Sequence, residues 1–535
     1  MLGSNVGSCS PTELGTAPGV TNLGTYRKYS WVGSRATMLE TEFKLSVHAS
    51  FMVPDLTELD IPFEMVEGPV LHLRAVYHDT EDLRLARSGV TLRYRSGENE
   101  AGWTLKLPVE DGEVSVRDEH WFQGAQATVP EGARDLTIAW VRTAGLVPVA
   151  RLTTRRKVWF VRDEEGVVVA EIDDDEVSIL EGRRVVARFR EVELESKGLG
   201  IQPLTEIRDL LVDAGAVRAE PIPKAVRALG PRATADADIP RAPSPDPKAP
   251  AAQAIKAALI HGVERVIVHD APTRLGDMEG VHQMRVGTRR LRSDLRTFSS
   301  MVEPKWAESL GDELAWLTDL LGSVRDLDVL QERLRDTAGG LEASFSEMFE
   351  SLAARHAGAR ARLDDGLRSD RYKQLLELVI QAARDPVLTE VAATPAQDVL
   401  PSLVRGAWQK LAKKGRALDR DDADDAFHAA RIQAKRVRYA AEAVAAALGK
   451  DGKEATNFAR LVADVQDTLG THQDTSVARQ VFADFAASHS TDGSLSFDIG
   501  RLYERQAFEA EVMKERFFKT WDRLDRKKNL RWMGT

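Results

Sequence analysis

Glu40-Thr-Glu-Phe-Lys44 and, later in the same half of the chain, Glu191-Val-Glu-Leu-Glu195 alternate charged residues with apolar or neutral ones. In a strand, residues two apart share a face. Glu40, Glu42 and Lys44 therefore project together, opposite Thr41, Phe43 and Leu45. The pattern recurs along the chain. Arg93 and Arg95 share a face of Gly89-Val-Thr-Leu-Arg-Tyr-Arg95, Thr104 and Lys106 share one of Trp103-Thr-Leu-Lys106, and Glu171 and Asp173 share one of Val167-Val-Val-Ala-Glu-Ile-Asp173. Such strands, separated by turn signals from Leu39 to about Leu199, predict an antiparallel sheet or barrel. Arg155, Arg156 and Lys157 form a basic cluster whose inward members parity leaves open. Small barrels ordinarily fill with apolar side chains. A charged interior is costly unless it pairs internally or binds a charged ligand. Bases around a phosphate chain, with acids holding a divalent cation, meet that requirement.

The remainder of the chain reads differently. Residues 202–227 look helical, and a Pro/Ala/Asp/Ser stretch over 228–250 has a linker's composition. From Ala251 to about residue 530 the chain is rich in Ala, Leu, Arg and Glu at helical periodicity, which predicts an all-α bundle domain. This half contains an internal duplication. His282-Gln-Met-Arg285 and Thr288-Arg-Arg-Leu-Arg292 are echoed at one fixed offset by His428-Ala-Ala-Arg431 and Ala434-Lys-Arg-Val-Arg438. Leu320-Leu-Gly-Ser-Val-Arg-Asp326 is echoed by Thr468-Leu-Gly-Thr-His-Gln-Asp474, which places two repeats at about 251–395 and 396–530.

On a helix, steps of three and four residues line one face. His282, Arg285, Arg289, Arg292 and Arg296 follow that spacing, and His428, Arg431, Lys435 and Arg438 do so in the second repeat. One basic helix face pairs most simply with acidic helices such as Asp312–Asp319 or Asp419–Asp425. Two such faces, each headed by a histidine, favour a bound polyanion instead. His261, His269 and His472 are secondary candidates for the same surface.

Composition bounds these readings. The 535 residues carry 73 Lys+Arg against 83 Asp+Glu, a formal net charge of −10. Taken as an average, that charge disfavours a polyanionic partner. Residues 251–535 nevertheless hold 43 basic and 44 acidic residues, so most of the acidic excess precedes them. The single thiol, Cys9, excludes an intramolecular disulfide framework and a multi-cysteine zinc site. No apolar run of about 18 residues predicts a membrane span. Residues 1–37 read as a flexible tail without the apolar core of a secretory signal, and the expected compartment is the cytoplasm.

In this order, Glu40-x-Glu42-x-Lys44, Tyr77-His-Asp-Thr-Glu-Asp-Leu83, the Gly89–Arg95 segment, Trp103-Thr-Leu-Lys-Leu107 and Glu191-x-Glu193-x-Glu195 resemble the CYTH family, the triphosphate tunnel metalloenzymes. The resemblance spans roughly 38–200, within a domain expected to run from 38 to 227. It implies an eight-stranded antiparallel tunnel that binds triphosphate compounds and usually hydrolyses them with Mg²⁺ or Mn²⁺. It also implies metal ligation by Glu40 and Glu42, with Glu171 and Asp173 or the row Glu191, Glu193 and Glu195. Lys44, Arg93, Arg95, Lys106 and Arg155 or Arg156 would hold phosphates. Glu40, Glu42, Lys44 and Glu193 form the candidate catalytic set, and which late carboxylate positions the water stays open.

The paired His-x-x-Arg-x-x-x-[Arg/Lys]-Arg-x-Arg segments resemble the CHAD family, the conserved-histidine α-helical domain. That resemblance implies a pair of helical bundles with a basic surface that binds inorganic polyphosphate, and hence an association with polyphosphate granules. Base-reading elements and interleaved surface aromatics are lacking, which argues against nucleic acid as the partner. Three functions follow as alternatives. One is hydrolysis of tripolyphosphate or a related triphosphate, with polyphosphate held by the helices. Another is a non-catalytic polyphosphate-binding protein. The third is a tunnel enzyme acting on ATP or thiamine triphosphate, as hydrolase or adenylate cyclase.

Overall fold

The computed structural model describes residues 37–56, 62–97, 100–110, 115–218, 222–489 and 493–534. The expected tail, Thr37 apart, lies outside them. Alternating sequences become strands β1 (Thr37–Ser46), β2 (Glu64–Asp79), β3 (Thr91–Ser96), β4 (Gly102–Glu110), β5 (Ser115–Phe122), β6 (Val147–Arg162), β7 (Val168–Glu181), β8 (Arg184–Ser196) and the two-residue β9 (Val217–Arg218). Their order is β5-β4-β3-β2-β6-β7-β8-β1-β9. All the pairings are antiparallel, as expected. Strand β1 joins the two ends of this sheet: Thr37–Glu42 pairs with β5 and Glu42–Ser46 pairs with β8.

Alternation decides what each face meets. Phe43, Leu45, Ile172, Val192 and Leu194 turn outward and are buried against Leu204, Ile207 and Leu211 of α3 (Ile201–Asp213). Leu92, Trp103 and Leu105 turn outward beneath α1 (Arg84–Arg87) and α2 (Glu131–Val141). Burying each large side chain contributes about 1.5–3 kcal/mol, which fixes the register and turns the charged set inward.

The helix expected over 202–227 is interrupted. It ends at Asp213, Gly215 takes φ +105°, and the chain passes through β9 before α4 (Lys224–Leu229). Ala225 of α4 packs with Tyr77, Leu152 and Val177. By strand parity these three belong to the inner face, so α4 closes on an apolar floor within the tunnel. The stretch with linker composition is also anchored. Asp238 is buried and receives Arg87 and Arg142 from the sheet domain and Arg384 from the helical half. Composition signalled a segment without an apolar run, but one buried carboxylate among guanidiniums ties it down.

The first helical repeat comprises α5 (Ala251–Val268), α6 (Asp270–Arg274), α7 (Met278–Thr297), α8 (Pro304–Ala338), α9 (Ser346–Arg368) and α10 (Asp370–Arg384). The second comprises α11 (Ala396–Gly415), α12 (Asp424–Ala445), α13 (Lys450–Ser488), α14 (Gly493–Leu524) and α15 (Lys527–Leu530). Helix starts have identifiable caps. The Asp277 carboxylate accepts the Glu279 and Gly280 amides at α7, and Glu303 caps α8 just before Pro304. One apolar core runs through both repeats and takes in Ile138 and Ala139 of α2, so the sheet domain docks on the bundle through buried side chains. No helix among the described residues is long and apolar enough to cross a membrane.

Candidate active site and basic helix faces

The inward face of the sheet carries acids on one arc and bases on another. Lys44 Nζ contacts Glu193 and lies 3.2 Å from Glu42. Arg156 contacts Asp173, and its Nη2 lies 2.7 Å from Asp175 and 3.1 Å from Glu193. Arg156 is thus the inward member of its cluster. Arg155 points outward, half-exposed, and pairs with Glu176 at 3.3 Å, so strand parity corrects its place among the expected phosphate ligands. Glu171 and Glu195 share Lys197, at 3.8 and 2.6 Å. On the other arc, Lys106 pairs with Glu119 at 3.1 Å. Arg93 and Arg95 lie close enough, with Lys106, to outweigh burial and hold the Glu119 carboxyl below its usual range. The Glu40 side chain lies outside the described residues; its backbone pairs with Arg117.

Sequence reading missed Lys224, Asp175 and Glu119. Asp175 continues the Glu171, Asp173 row by one more step of two, so parity alone could have found it. Glu119 follows from the same rule once its register opposite Lys106 is known. Lys224 had no signal, because its meaning depends on α4 entering the tunnel. Its ammonium lies 2.9 Å from Asp175, 2.8 Å from Glu191 and 2.7 Å from Glu193.

The electrostatics follow from this crowding. Burial disfavours the charge on Glu193, but Lys224, Lys44 and Arg156 outweigh it and hold its carboxyl well below the usual range. Burial likewise opposes the charged forms of Lys44 and Lys224. Their carboxylate neighbours, Glu193 first, hold both ammonium groups above their ordinary range. Asp173 goes the other way: burial, with Asp175, Glu171 and Glu193 adding to it, lifts its carboxyl despite Arg156. A carboxylate already matched by three cations suits positioning better than proton abstraction, so Glu193 fits the role of electrostatic anchor.

Among the described residues no three His, Cys, Asp or Glu side chains converge closely enough to hold a metal ion. The donor set nevertheless suits a hard divalent cation. All its donors are carboxylate oxygens, and Asp173 Oδ1 is buried without a hydrogen-bond partner.

In the helical half the two basic faces meet. Burial, then Arg289, Arg431 and Arg285, pushes the Lys435 ammonium down to about 7. Burial together with Arg285 and Arg431 also lowers Arg289. Arg285 pairs with Asp326 at 2.7 Å. Among the described residues Arg289, Arg431 and Lys435 have no ion-pair partner. The duplication explains the layout: a Cβ at Gly322 of α8 would lie 3.3 Å from Arg285 Nη2, and one at the equivalent Gly470 of α13 would lie 3.8 Å from Arg431 Nε. The glycine at 322 thus leaves room for Arg285, while at 470 a Cβ would sit in ordinary contact with Arg431.

The other candidates divide. His282 lies beside Arg325, Arg285 and Arg289 and is lowered chiefly by burial. His428 Nδ1 is hydrogen-bonded to Gln473 Oε1. Arg292 and Arg296 gather with Arg436 further along, and Arg438 pairs with Glu442 at 2.8 Å. His261 is exposed on α5, and His269 sits at the α5–α6 junction near Arg265, Glu279 and Asp277. His472 does not join the surface: its ring is buried against Phe427 and lies 3.3 Å from Asp424. Position 472 faces the core between α12 and α13, which spacing around the motif did not reveal.

Comparison with known proteins agrees with this geometry. The CYTH domain matches residues 38–215 and the CHAD domain matches residues 257–483. The chain belongs to the CYTH–CHAD proteins. A relative from Mycobacterium tuberculosis, Rv2226, is 32% identical over 524 residues, covering 92% of this CYTH–CHAD chain and 97% of that protein. Among solved structures, PptA from Streptomyces chartreusis is 21% identical with a TM-score of 0.44, covering 51% of this chain and 99% of its own. The CHAD domain of the plant Ricinus communis is 24% identical with a TM-score of 0.40, covering 54% and 95% respectively.

Proposed function

We propose that the CYTH domain hydrolyses tripolyphosphate or a related triphosphate with Mg²⁺ or Mn²⁺, and that the CHAD domain binds inorganic polyphosphate. The observation that carries the first part is the inward meeting of Lys44, Arg156 and Lys224 with Glu42, Asp173, Asp175, Glu191 and Glu193. Phosphoryl transfer leaves a protein little covalent work, so catalysis is mainly positioning and charge stabilisation. Arg93, Arg95 and Lys106 would bind the phosphate chain. Lys44, Arg156 and Lys224 would fix the orientation of the acids. Glu42, Asp173 and the acids of β8, with Glu40, would hold the cation, which when bound supplies Lewis acidity to phosphate oxygens.

The second part is supported by Arg289, Arg431 and Lys435, which share one surface without ion-pair partners among the described residues. Like charges so placed are unfavourable until an anion meets them. Binding through such a set falls steeply with salt.

Phosphate release from tripolyphosphate, ATP and thiamine triphosphate, with either metal, tests the enzyme reading. Hydrolysis of one of them that is lost in Glu42→Gln is expected. Release from none of them would leave a polyphosphate-binding protein, and cyclic product from ATP would indicate a cyclase. Retention of long-chain polyphosphate by the full chain, unchanged after charge reversal at Arg289, Arg431 and Lys435, would overturn the second part.

A further inference from the structure

Helix α14 follows the matched CHAD segment, which ends at residue 483, and presents two contrasting faces. Ile499, Leu502, Ala510 and Phe517 are buried inward. The outer face bears two large aromatic side chains, Phe497 at 68% and Phe508 at 70% exposure. They stand about three helical turns apart, so both lie on one stripe. Between them on that stripe are Arg501 and Glu504, both exposed, and Gly500, whose added Cβ would meet nothing within 4 Å. Isolated exposed apolar residues need no explanation, but two phenylalanines flanking a charged pair on one helical face are a candidate interface.

The order along this stripe is self-complementary. If a second α14 lies antiparallel across it, with a two-fold axis between Leu502 and Tyr503, Phe497 falls opposite Phe508 of the second copy. In the same register Arg501 falls opposite Glu504 of the second copy. Both relations occur twice, as an isologous interface requires. Within its own helix Arg501 lies 3.4 Å from Asp498 and 5.9 Å from the Phe497 ring. Its side chain nevertheless stays 61% exposed and available to a partner.

We propose that two copies of this chain associate through the outer face of α14, with Phe497 against Phe508 and Arg501 against Glu504. One helix pair is a small contact, so the dimer is reversible rather than obligate. Sedimentation velocity of the full chain over a concentration series up to about 100 µM, a range that reaches weak association, is expected to show a monomer–dimer equilibrium. Arg501→Glu and Glu504→Arg each place like charges opposite one another and are expected to weaken the dimer at least tenfold. An equimolar mixture of these two variants restores opposite charges at every contact and is expected to recover a heterodimer.

Phe508→Ala is expected to weaken the dimer similarly, with an unchanged thermal transition showing that the fold is intact. A full chain that stays monomeric throughout overturns the proposal. So does a dimer indifferent to Arg501→Glu and Phe508→Ala, which would use another surface. A monomer in which Phe497 and Phe508 resist hydroxyl-radical footprinting would show the face covered within one chain, and would overturn it equally.

Discussion

The Lys224 ammonium stands 2.7 Å from Glu193 Oε1 and closes the tunnel's acidic arc from below. A side chain from a six-residue helix thereby neutralises strands β7 and β8 at once. Replacing it by methionine would leave Asp175, Glu191 and Glu193 facing one another in a buried site. Breaking a buried ion pair by removing one partner costs about 3–5 kcal/mol. Lys224→Met should lower urea-unfolding stability by that order and reduce triphosphate hydrolysis about 100-fold, while Lys224→Arg should keep most of the stability.

The same pair sets an acid limit. Glu193 is depressed in the folded protein relative to its ordinary value of 4.5, with Lys224 the largest of the attractive neighbours. Its contribution to stability is therefore present above that value and is lost as pH falls below it. Thermal stability measured from pH 6 down to about 3 should fall steeply in the parent. In Lys224→Met the fall should be shallower, because the depression is smaller.

Much of this site was legible beforehand, and what was not has a physical cause. Period-two alternation identified Glu42, Lys44, Asp173 and Glu193, because a strand's two faces are fixed by its backbone. The same rule could not choose between Arg155 and Arg156, since adjacent residues take opposite faces and no neighbouring apolar pattern set the phase. Lys224 was invisible because its role is made by tertiary docking of α4. The helical stripes showed which residues share a face. That α7 and α12 bring the two stripes to one place depends on packing between the repeats.

If the stripes bind polyphosphate as proposed, Lys435 makes that binding sensitive to pH. Burial among Arg289, Arg431 and Arg285, with Asp474 of α13 opposing them, places its pKa at about 7. A lysine is charged below its pKa, so binding should tighten as pH falls from 8 to 6. Above the pKa, each step of one in pH changes the charged fraction by about tenfold. Polyphosphate affinity should therefore rise about tenfold across that range at constant salt. Lys435→Arg, charged throughout, should flatten the slope above pH 7. Persistence of the full slope in that variant would show that Lys435 is not the titrating group.

Asp294 lies fully buried on α7, lifted to about 7 by burial, with Arg290 opposing the rise and Glu442 adding to it. Its folded pKa exceeds its ordinary value of 3.8, so the folded state binds the extra proton between these values. Stability consequently declines as pH rises through that window. Asp294→Asn removes the ionisation and should stabilise the protein by on the order of 2 kcal/mol at pH 8. At pH 5, part-way through the window, the gain should be smaller than at pH 8. Calorimetric transitions at the two pH values test the difference.

Asp238 holds the two domains together through charge. It receives Arg142, and Arg87 Nη2 at 3.0 Å; Arg384 of α10 reaches it at 3.4 Å. Arg142 itself adopts φ 57°, a conformation that costs a non-glycine residue about 1–3 kcal/mol. Its guanidinium also meets Glu377 of α10 at 3.1 Å. Removing Asp238 leaves buried Arg142 with one acid instead of two, and leaves the 228–250 segment without its central anchor. Asp238→Ala should destabilise the protein by about 2–4 kcal/mol and expose that segment to proteolysis. If the carboxylate couples the domains, urea unfolding should separate into two transitions in this variant and remain closer to one in Asp238→Asn. Parent-like cooperativity and protease resistance in Asp238→Ala would instead assign the coupling to Ile138 and Ala139 in the shared apolar core.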